Sequence, residues 1–328
     1  MSTLKFLFKE KEKIELEIKE YLSYLCNKKI RNAAAYMINA GGKRIRPFLL
    51  VLAYKAVGGE YVNQVIPLGV VIEFIHTWTL VHDDIIDKSE MRRNLPTIHT
   101  KWDGNTALLT GDALNHLAYL LLAKTDINKE TISKIVEIIA KASLELINGE
   151  MMDVDFEKRV DITEKEYFEM VKKKTGALIK SAVKIGAIVG TKDQEKIRTL
   201  EDYGELIGIA FQIKDDLLDL MADKEKLGKD IGRDIKQGKR TLMVIHTFNN
   251  GAPKNVNRLI SILLKKDSSE EEIGEALNIL KKEGSIEYAQ QVLLKLIRKA
   301  KNTLNRLPET EYKNALLQLA NFIIGREK

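Results

Sequence analysis

The sequence predicts an all-α protein, on three observations. Apolar residues recur at helical spacing along nearly the whole chain, as in Ile132, Ile135, Val136, Ile139 and in Leu259, Ile262, Leu263. The sustained period-two alternation of half-buried strands is missing. Helix-start chemistry stands where periodic runs begin: Thr163 with Glu166 reads as a capping box, and Ser269 with Glu272 as another.

Taken in order, the first residues (Met1 to Lys13) mix Lys and Glu with Phe and Leu and lack the uninterrupted apolar run of a signal peptide. Gly41-Gly42 marks a tight turn, and Pro47 follows near a helix start. Pro67 precedes a strongly helical run and marks either a start or a kink. The stretch Leu68 to Val81 is the greasiest in the chain, but it carries Glu73 and His76 and is read as too short to span a bilayer. Asn249 to Pro253 reads as a loop, with Pro253 and later Pro308 punctuating further helix starts. No Gly/Ser/Pro-rich linker, low-complexity tract or fixed-period repeat divides the chain, so residues 1–328 are expected to form one domain.

Apolar residues make up 45% and charged residues 30% of the 328, enough of each to bury a core and solvate it. The net charge of +6 is spread, with Lys and Arg interleaved with Glu and Asp, which argues against a nucleic-acid arm and leaves small anions as the partner of any basic wall. Cys26 is the only cysteine; a disulfide framework and a cysteine zinc site are thereby excluded, and a cytoplasmic location is expected.

Three constellations carry chemistry. In Val81-His82-Asp83-Asp84-Ile85-Ile86-Asp87, a helix places Asp83 and Asp87 on one face, one turn apart, close enough to share hard cations that also bind phosphate oxygens. The stretch Phe211-Gln212-Ile213-Lys214-Asp215-Asp216-Leu217-Leu218-Asp219 repeats that spacing with the same apolar filler. Apolar runs precede both ladders, Val70 to Leu80 and Ile207 to Phe211, so a wet mouth over a dry floor is expected, suited to a diphosphate head and a hydrocarbon tail. The third constellation, Gly41-Gly42-Lys43-Arg44-Ile45-Arg46-Pro47, sets cations after a tight turn, and Lys43 and Arg46 can address one phosphate; the spacing is not that of a P-loop. Each also has a plain structural reading, as a solvated helix end, packed core or an ordinary basic turn.

These motifs, together with Gly228-Lys229-Asp230-Ile231-Gly232-Arg233-Asp234 and Gly284-Ser285-Ile286-Glu287-Tyr288-Ala289, resemble those of the trans-isoprenyl diphosphate synthases (polyprenyl synthetases) in type and order. The resemblance implies a homodimer whose subunits are single large helical bundles, each enclosing a central cavity. It implies that Asp83, Asp87 and Asp215 hold magnesium, three ions per site, with Asp84, Asp216 and Asp219 in support. By the same carry-over, Lys43, Arg46, His76 and Arg93 hold isopentenyl diphosphate, while Arg92, Lys174, Thr175, Gln212, Lys229 and Lys239 serve the allylic diphosphate. Lys174, Thr175 and Gln212 would also screen the reacting carbon.

The chemistry so implied ionises an allylic C–O bond, joins the cation to the double bond of isopentenyl diphosphate, and loses a proton, with the released diphosphate as base. Dimethylallyl, geranyl and farnesyl diphosphates are the expected starters, and farnesyl or geranylgeranyl diphosphate the product. Trp78, five residues before Asp83 and so about 7.5 Å further down the helix, is the expected floor against the growing tail. The first ladder lacks the two-residue insertion of one bacterial subgroup, which leans toward geranylgeranyl. A class I terpene cyclase, a head-to-head synthase and a non-catalytic partner subunit are the competing readings: Lys43, Arg46 and Arg93 argue against the first, the Gly41 to Pro47 turn against the second, and two intact ladders against the third. A metal phosphohydrolase built on His82-Asp83 would leave the second ladder unexplained.

Overall fold

A computed structural model of the chain describes residues 3–221, 232–265 and 268–325. Its first four helices are α1 (Thr3–Leu22), α2 (Lys28–Asn39), α3 (Ile45–Ala56) and α4 (Ile66–Ile86). A two-stranded antiparallel hairpin, β1 (Met91–Arg92) with β2 (Leu95–Pro96), sets Met91 opposite Pro96 and Arg92 opposite Leu95. Then come α5 (Ile98–Lys101), α6 (Gly104–Lys124), α7 (Lys129–Phe156), α8 (Glu164–Val171), α9 (Ala177–Gly190) and α10 (Gln194–Met221). The last six are α11 (Arg233–Lys236), α12 (Leu242–Asn250), α13 (Pro253–Leu263), α14 (Glu270–Lys282), α15 (Ser285–Thr303) and α16 (Glu311–Gly325).

Local chemistry sets these boundaries as the sequence predicts. Both capping boxes form, at Thr163 with Glu166 and at Ser269 with Glu272. Pro67 and Pro253 sit in the first turns of α4 and α13, where a missing N–H breaks no helical hydrogen bond; Pro67 is thus a start and not a kink. The Asn249–Pro253 loop is only two residues long between α12 and α13. The hairpin was not foreseen, since strands of two residues are too short to alternate; its turn puts Arg93 and Asn94 at φ 53° and 62°, the doubly left-handed geometry of a tight two-residue hairpin.

Contacts divide the chain into two compact units, each assembled from three stretches: Met1–Ser143, Leu178–Glu201 and Leu304–Leu316 in the first, Leu144–Ala177, Asp202–Thr303 and Leu317–Lys328 in the second. In the first unit α4 packs against α6, α3 and α1, and the run Leu49 to Ala53 of α3 is completely buried. Val62–Ile86, the longer helical stretch that contains Leu68 to Val81, is long and apolar enough to cross a membrane by length and composition, yet 67% of its most apolar window is buried inside the protein. In the second unit α12 packs against α15 and α8, and α14 against α13 and α15. Arg240 is fully buried there, its guanidinium donating to the carbonyls of Gly238 (2.6 Å), Arg159 (2.7 Å) and Glu157 (2.8 Å).

Candidate active site

The first ladder occupies the last turn of α4. The Asp87 amide donates to the Asp83 carbonyl at 2.8 Å, so the two carboxylates are one turn apart, as their spacing requires. Asp84 points inward and is buried, and the hairpin returns Arg92 onto it. Arg92 Nε donates to Asp84 Oδ1 (2.8 Å) and Nη2 to Asp83 Oδ2 (2.9 Å). Burial alone would lower the Arg92 pKa, but Asp84 and Asp83 outweigh it and raise it. The side chain expected on an allylic diphosphate is therefore docked on the ladder.

Beside the ladder, the first unit gathers four arginines round one histidine. Arg46 Nη1 lies 3.0 Å from His76 Nε2; a guanidinium can only donate, so Nε2 is the unprotonated nitrogen and the imidazole is neutral. Burial first, then Arg46, Arg93, Arg92 and Arg44, hold the His76 pKa well below its ordinary value of 6.5. Arg46, His76 and Arg93, expected on one diphosphate from sequence, are thus brought together, with Lys43 exposed on the adjoining turn. Arg44 was passed over in the sequence but is nearly fully buried, with Nη1 on Glu73 Oε1 at 2.6 Å.

Trp78 projects from α4, where its Nε1 donates to His82 Nδ1 at 3.1 Å. With Nδ1 accepting, the proton of His82 sits on Nε2, which donates to the Leu108 carbonyl of α6 at 3.2 Å. Gly111 of α6 makes room for this pair, since a Cβ there would fall 2.3 Å from His82 Nε2 and 3.2 Å from Trp78 Cδ1. The Trp78 ring is thus oriented by its hydrogen bond to His82.

The second unit carries the other ladder on α10. Thr175 Oγ1 donates to Gln212 Oε1 at 2.5 Å, Gln212 Nε2 donates to Asp216 Oδ1 at 2.8 Å, and the buried Tyr167 hydroxyl donates to Asp216 Oδ2 at 2.8 Å. This relay links Thr175 to Gln212, as the sequence paired them, and adds Tyr167, which it did not. Burial pushes Asp216 up to about 7 against the pull of Gln212 and Tyr167. Asp219 accepts the Asp234 amide at 2.9 Å, seating the start of α11 on the ladder. Burial and then Asp219, Asp216 and Asp153 push the Asp234 carboxyl well up. Lys229 and most of its motif lie outside the described residues.

Lys174 and Lys239 converge on one carboxylate. Asp153, buried on α7, takes Lys174 Nζ at 2.7 Å and Lys239 Nζ at 3.0 Å on the same oxygen; Glu150 on α7 (2.9 Å from Lys174) and Glu157 just past its end (2.9 Å from Lys239) flank it. Burial would raise the Asp153 pKa, but the two lysines hold it below the usual carboxylate value. The signal was available as Glu150, Asp153 and Glu157 at helical spacing. Lys174 and Thr175 themselves sit on a π-type turn, Lys172–Gly176, between α8 and α9.

Among the described residues no three His, Cys, Asp or Glu side chains already surround a common point. The donors still suit magnesium, which takes one or two carboxylates and completes its shell with phosphate oxygens and water. Burial raises the Asp234 pKa first, and the neighbouring Asp219 and Asp216 add to it; a bound cation would relieve that crowding.

Comparison with known proteins agrees with this chemistry. The family model described as Polyprenyl synthetase matches residues 27–280. A short chain isoprenyl diphosphate synthase of Methanothermobacter thermautotrophicus is 40% identical over 327 residues, covering 100% of this chain and 99% of its own. A geranylgeranyl diphosphate synthase of Methanosarcina mazei is 38% identical over 314 residues, covering 96% and 95%. The crystal structure of geranylgeranyl pyrophosphate synthetase from Pyrococcus horikoshii superposes with a TM-score of 0.91 at 41% identity, covering 99% of each chain. With its ladders, its arginine cluster and these relatives, the chain belongs to the polyprenyl synthetase family of prenyltransferases.

Proposed function

We propose that this chain is a short-chain trans-isoprenyl diphosphate synthase that condenses isopentenyl diphosphate with dimethylallyl, geranyl or farnesyl diphosphate and releases diphosphate. The observation that carries the reading is the neutral His76 among Arg44, Arg46, Arg92 and Arg93 beside an intact ladder, a second anion site that a cyclase of one diphosphate would not need. Lys43, Arg46, His76 and Arg93 take isopentenyl diphosphate; Arg92, Lys174, Thr175, Gln212, Lys229 and Lys239 take the allylic partner. Their charge stabilises the departing diphosphate as the allylic C–O bond breaks. The oriented Gln212 carbonyl and Thr175 hydroxyl face developing positive charge with oxygen lone pairs. The double bond of isopentenyl diphosphate then forms the new C–C bond, and the proton lost in restoring the alkene goes to the released diphosphate.

Asp83, Asp87 and Asp215 are the proposed magnesium ligands, three ions per site. Bound magnesium would neutralise diphosphate charge and make it a better leaving group. We read the chain as one catalytic domain, supported by the interleaving of both units along the sequence. A homodimer in the cytoplasm is the proposed working form, supported by exposed Leu108, Leu109 and Leu120 on α6, and separately by exposed Leu144, Ile147 and Met151 on α7. Geranylgeranyl diphosphate is the proposed main product, with Trp78 as floor.

Incubating the purified chain with magnesium, isopentenyl diphosphate and each of the five-, ten- and fifteen-carbon allylic diphosphates tests the reading. Elongation ending at fifteen or twenty carbons is the expected result; cyclised or untouched allylic substrate in every tube would overturn it.

A further inference from the structure

The turn that carries Lys43 and Arg46 has an unusual backbone. Gly41 and Gly42 stand at φ 101° and 147°, and between the two proposed substrate cations Arg44 stands at φ 50°, a left-handed conformation that L side chains adopt at a cost. Such a conformation persists only where the surroundings over-determine it. They do so here through the side chain of Arg44: Nη1 donates to Glu73 Oε1 at 2.6 Å, Nη2 to the Ile38 carbonyl at 2.9 Å, and Nε lies 3.4 Å from Glu15 Oε1. Arg44 and Glu73 are both buried, at 4% exposure each, so this is a charge pair fixed in place and not a surface contact.

Glu73 stands one turn before His76 on α4. The pairs Arg44–Glu73 and Arg46–His76 therefore run side by side, two residues apart on the turn and three apart on the helix, and dock the turn at two points. Arg93 completes the arrangement: a Cβ on Gly42 would lie 3.1 Å from Arg44 Nη1 and 3.2 and 3.3 Å from the two terminal nitrogens of Arg93. Gly42 is thus the spacer between two guanidinium groups, and the field of Glu73 favours the charge on Arg93, though burial opposes it more strongly.

We propose that Glu73, acting through Arg44, is a positioning residue for the cations that receive isopentenyl diphosphate: the buried pair fixes the left-handed turn on which Lys43 and Arg46 are presented. Neither residue touches substrate. The proposal rests on the assignment of Lys43, Arg46 and Arg93 to that substrate.

The test compares Glu73→Gln, Arg44→Met and the double variant Glu73→Met/Arg44→Met by steady-state kinetics and thermal unfolding, with Lys43→Ala and Arg46→Ala in the same assay. Each single variant is expected to raise KM for isopentenyl diphosphate at least about tenfold, leave KM for the allylic diphosphate within about twofold, and lower Tm. In the double variant no buried charge is stranded, so Tm recovers, while KM for isopentenyl diphosphate stays raised because the turn has lost its anchor. A double variant with native KM would make the pair structural only and overturn the proposal, as would equal rises in both KM values. If Glu73→Gln fails to fold, the double variant alone decides by the same two readings. Normal KM values in Lys43→Ala and Arg46→Ala would instead remove the substrate assignment on which the proposal stands.

Discussion

Asp153 shows how a single buried atom can organise a site. One carboxylate oxygen accepts both Lys174 and Lys239, which without it would face each other as like charges in a half-buried setting. Asp153→Asn is expected to lower kcat/KM for the allylic diphosphate by about ten- to a hundredfold, with KM for isopentenyl diphosphate unchanged, and to cost about 3–5 kcal/mol of stability. Steady-state kinetics and urea unfolding read both effects. His76 carries a pH signature: its folded pKa is depressed below 6.5, so below that pH the unfolded chain takes up a proton that the folded one refuses. Stability should therefore fall as pH drops from about 6.5 toward the folded pKa, by at most about 1.4 kcal/mol per pH unit from this group. His76→Gln keeps an acceptor for Arg46 and should flatten that slope in denaturant titrations at pH 7.5 and 5.5. The candidate cations and ladder carboxylates were legible as residues because they stand in local motifs. Glu73 was not, since its partner stands 29 residues away, and for Asp153 only the acidic helical spacing was visible, because its partner Lys239 stands 86 residues away.

At the scale of elements, caps and prolines were readable because their chemistry acts within four residues, as Thr163 and Ser269 illustrate. The hairpin and the π-type turn were not. The hairpin turn uses Arg93 and Asn94 where glycine would be the usual signal, and Lys172 to Gly176 continues a helical pattern whose extra residue changes only the hydrogen-bond register. That turn is seated closely on α7: a Cβ on Gly149 would fall 2.3 Å from the Lys174 amide nitrogen and 2.7 Å from its Cα. Because the obstacle is backbone, Gly149→Ala must displace the turn. The expected outcome is a loss of about 1–3 kcal/mol by thermal unfolding, together with a drop in kcat larger than that of a stability-matched surface variant.

For the whole molecule, fold class followed from periodicity and helix-start chemistry, whereas the division of contacts into two interleaved units did not, since pattern along a chain carries no record of which distant stretches meet. Product length also belongs to this scale, because it depends on the space left for the whole tail. Trp78 is oriented by its hydrogen bond to His82, and His82 by the Leu108 carbonyl, which supports the proposal that the ring is the floor. Trp78→Ala is expected to shift the longest product beyond that of the parent enzyme by at least one five-carbon unit, read by chromatography of the dephosphorylated alcohols. Interleaving has a consequence for synthesis as well. The first unit includes Leu304–Leu316 and the second Leu317–Lys328, so a growing chain on the ribosome holds all of both ladders and yet neither finished unit until these two stretches emerge. Completion of both units thereby waits on the stretches after Thr303, and a nascent chain stalled at Thr303 would present two unfinished cores to chaperones and proteases.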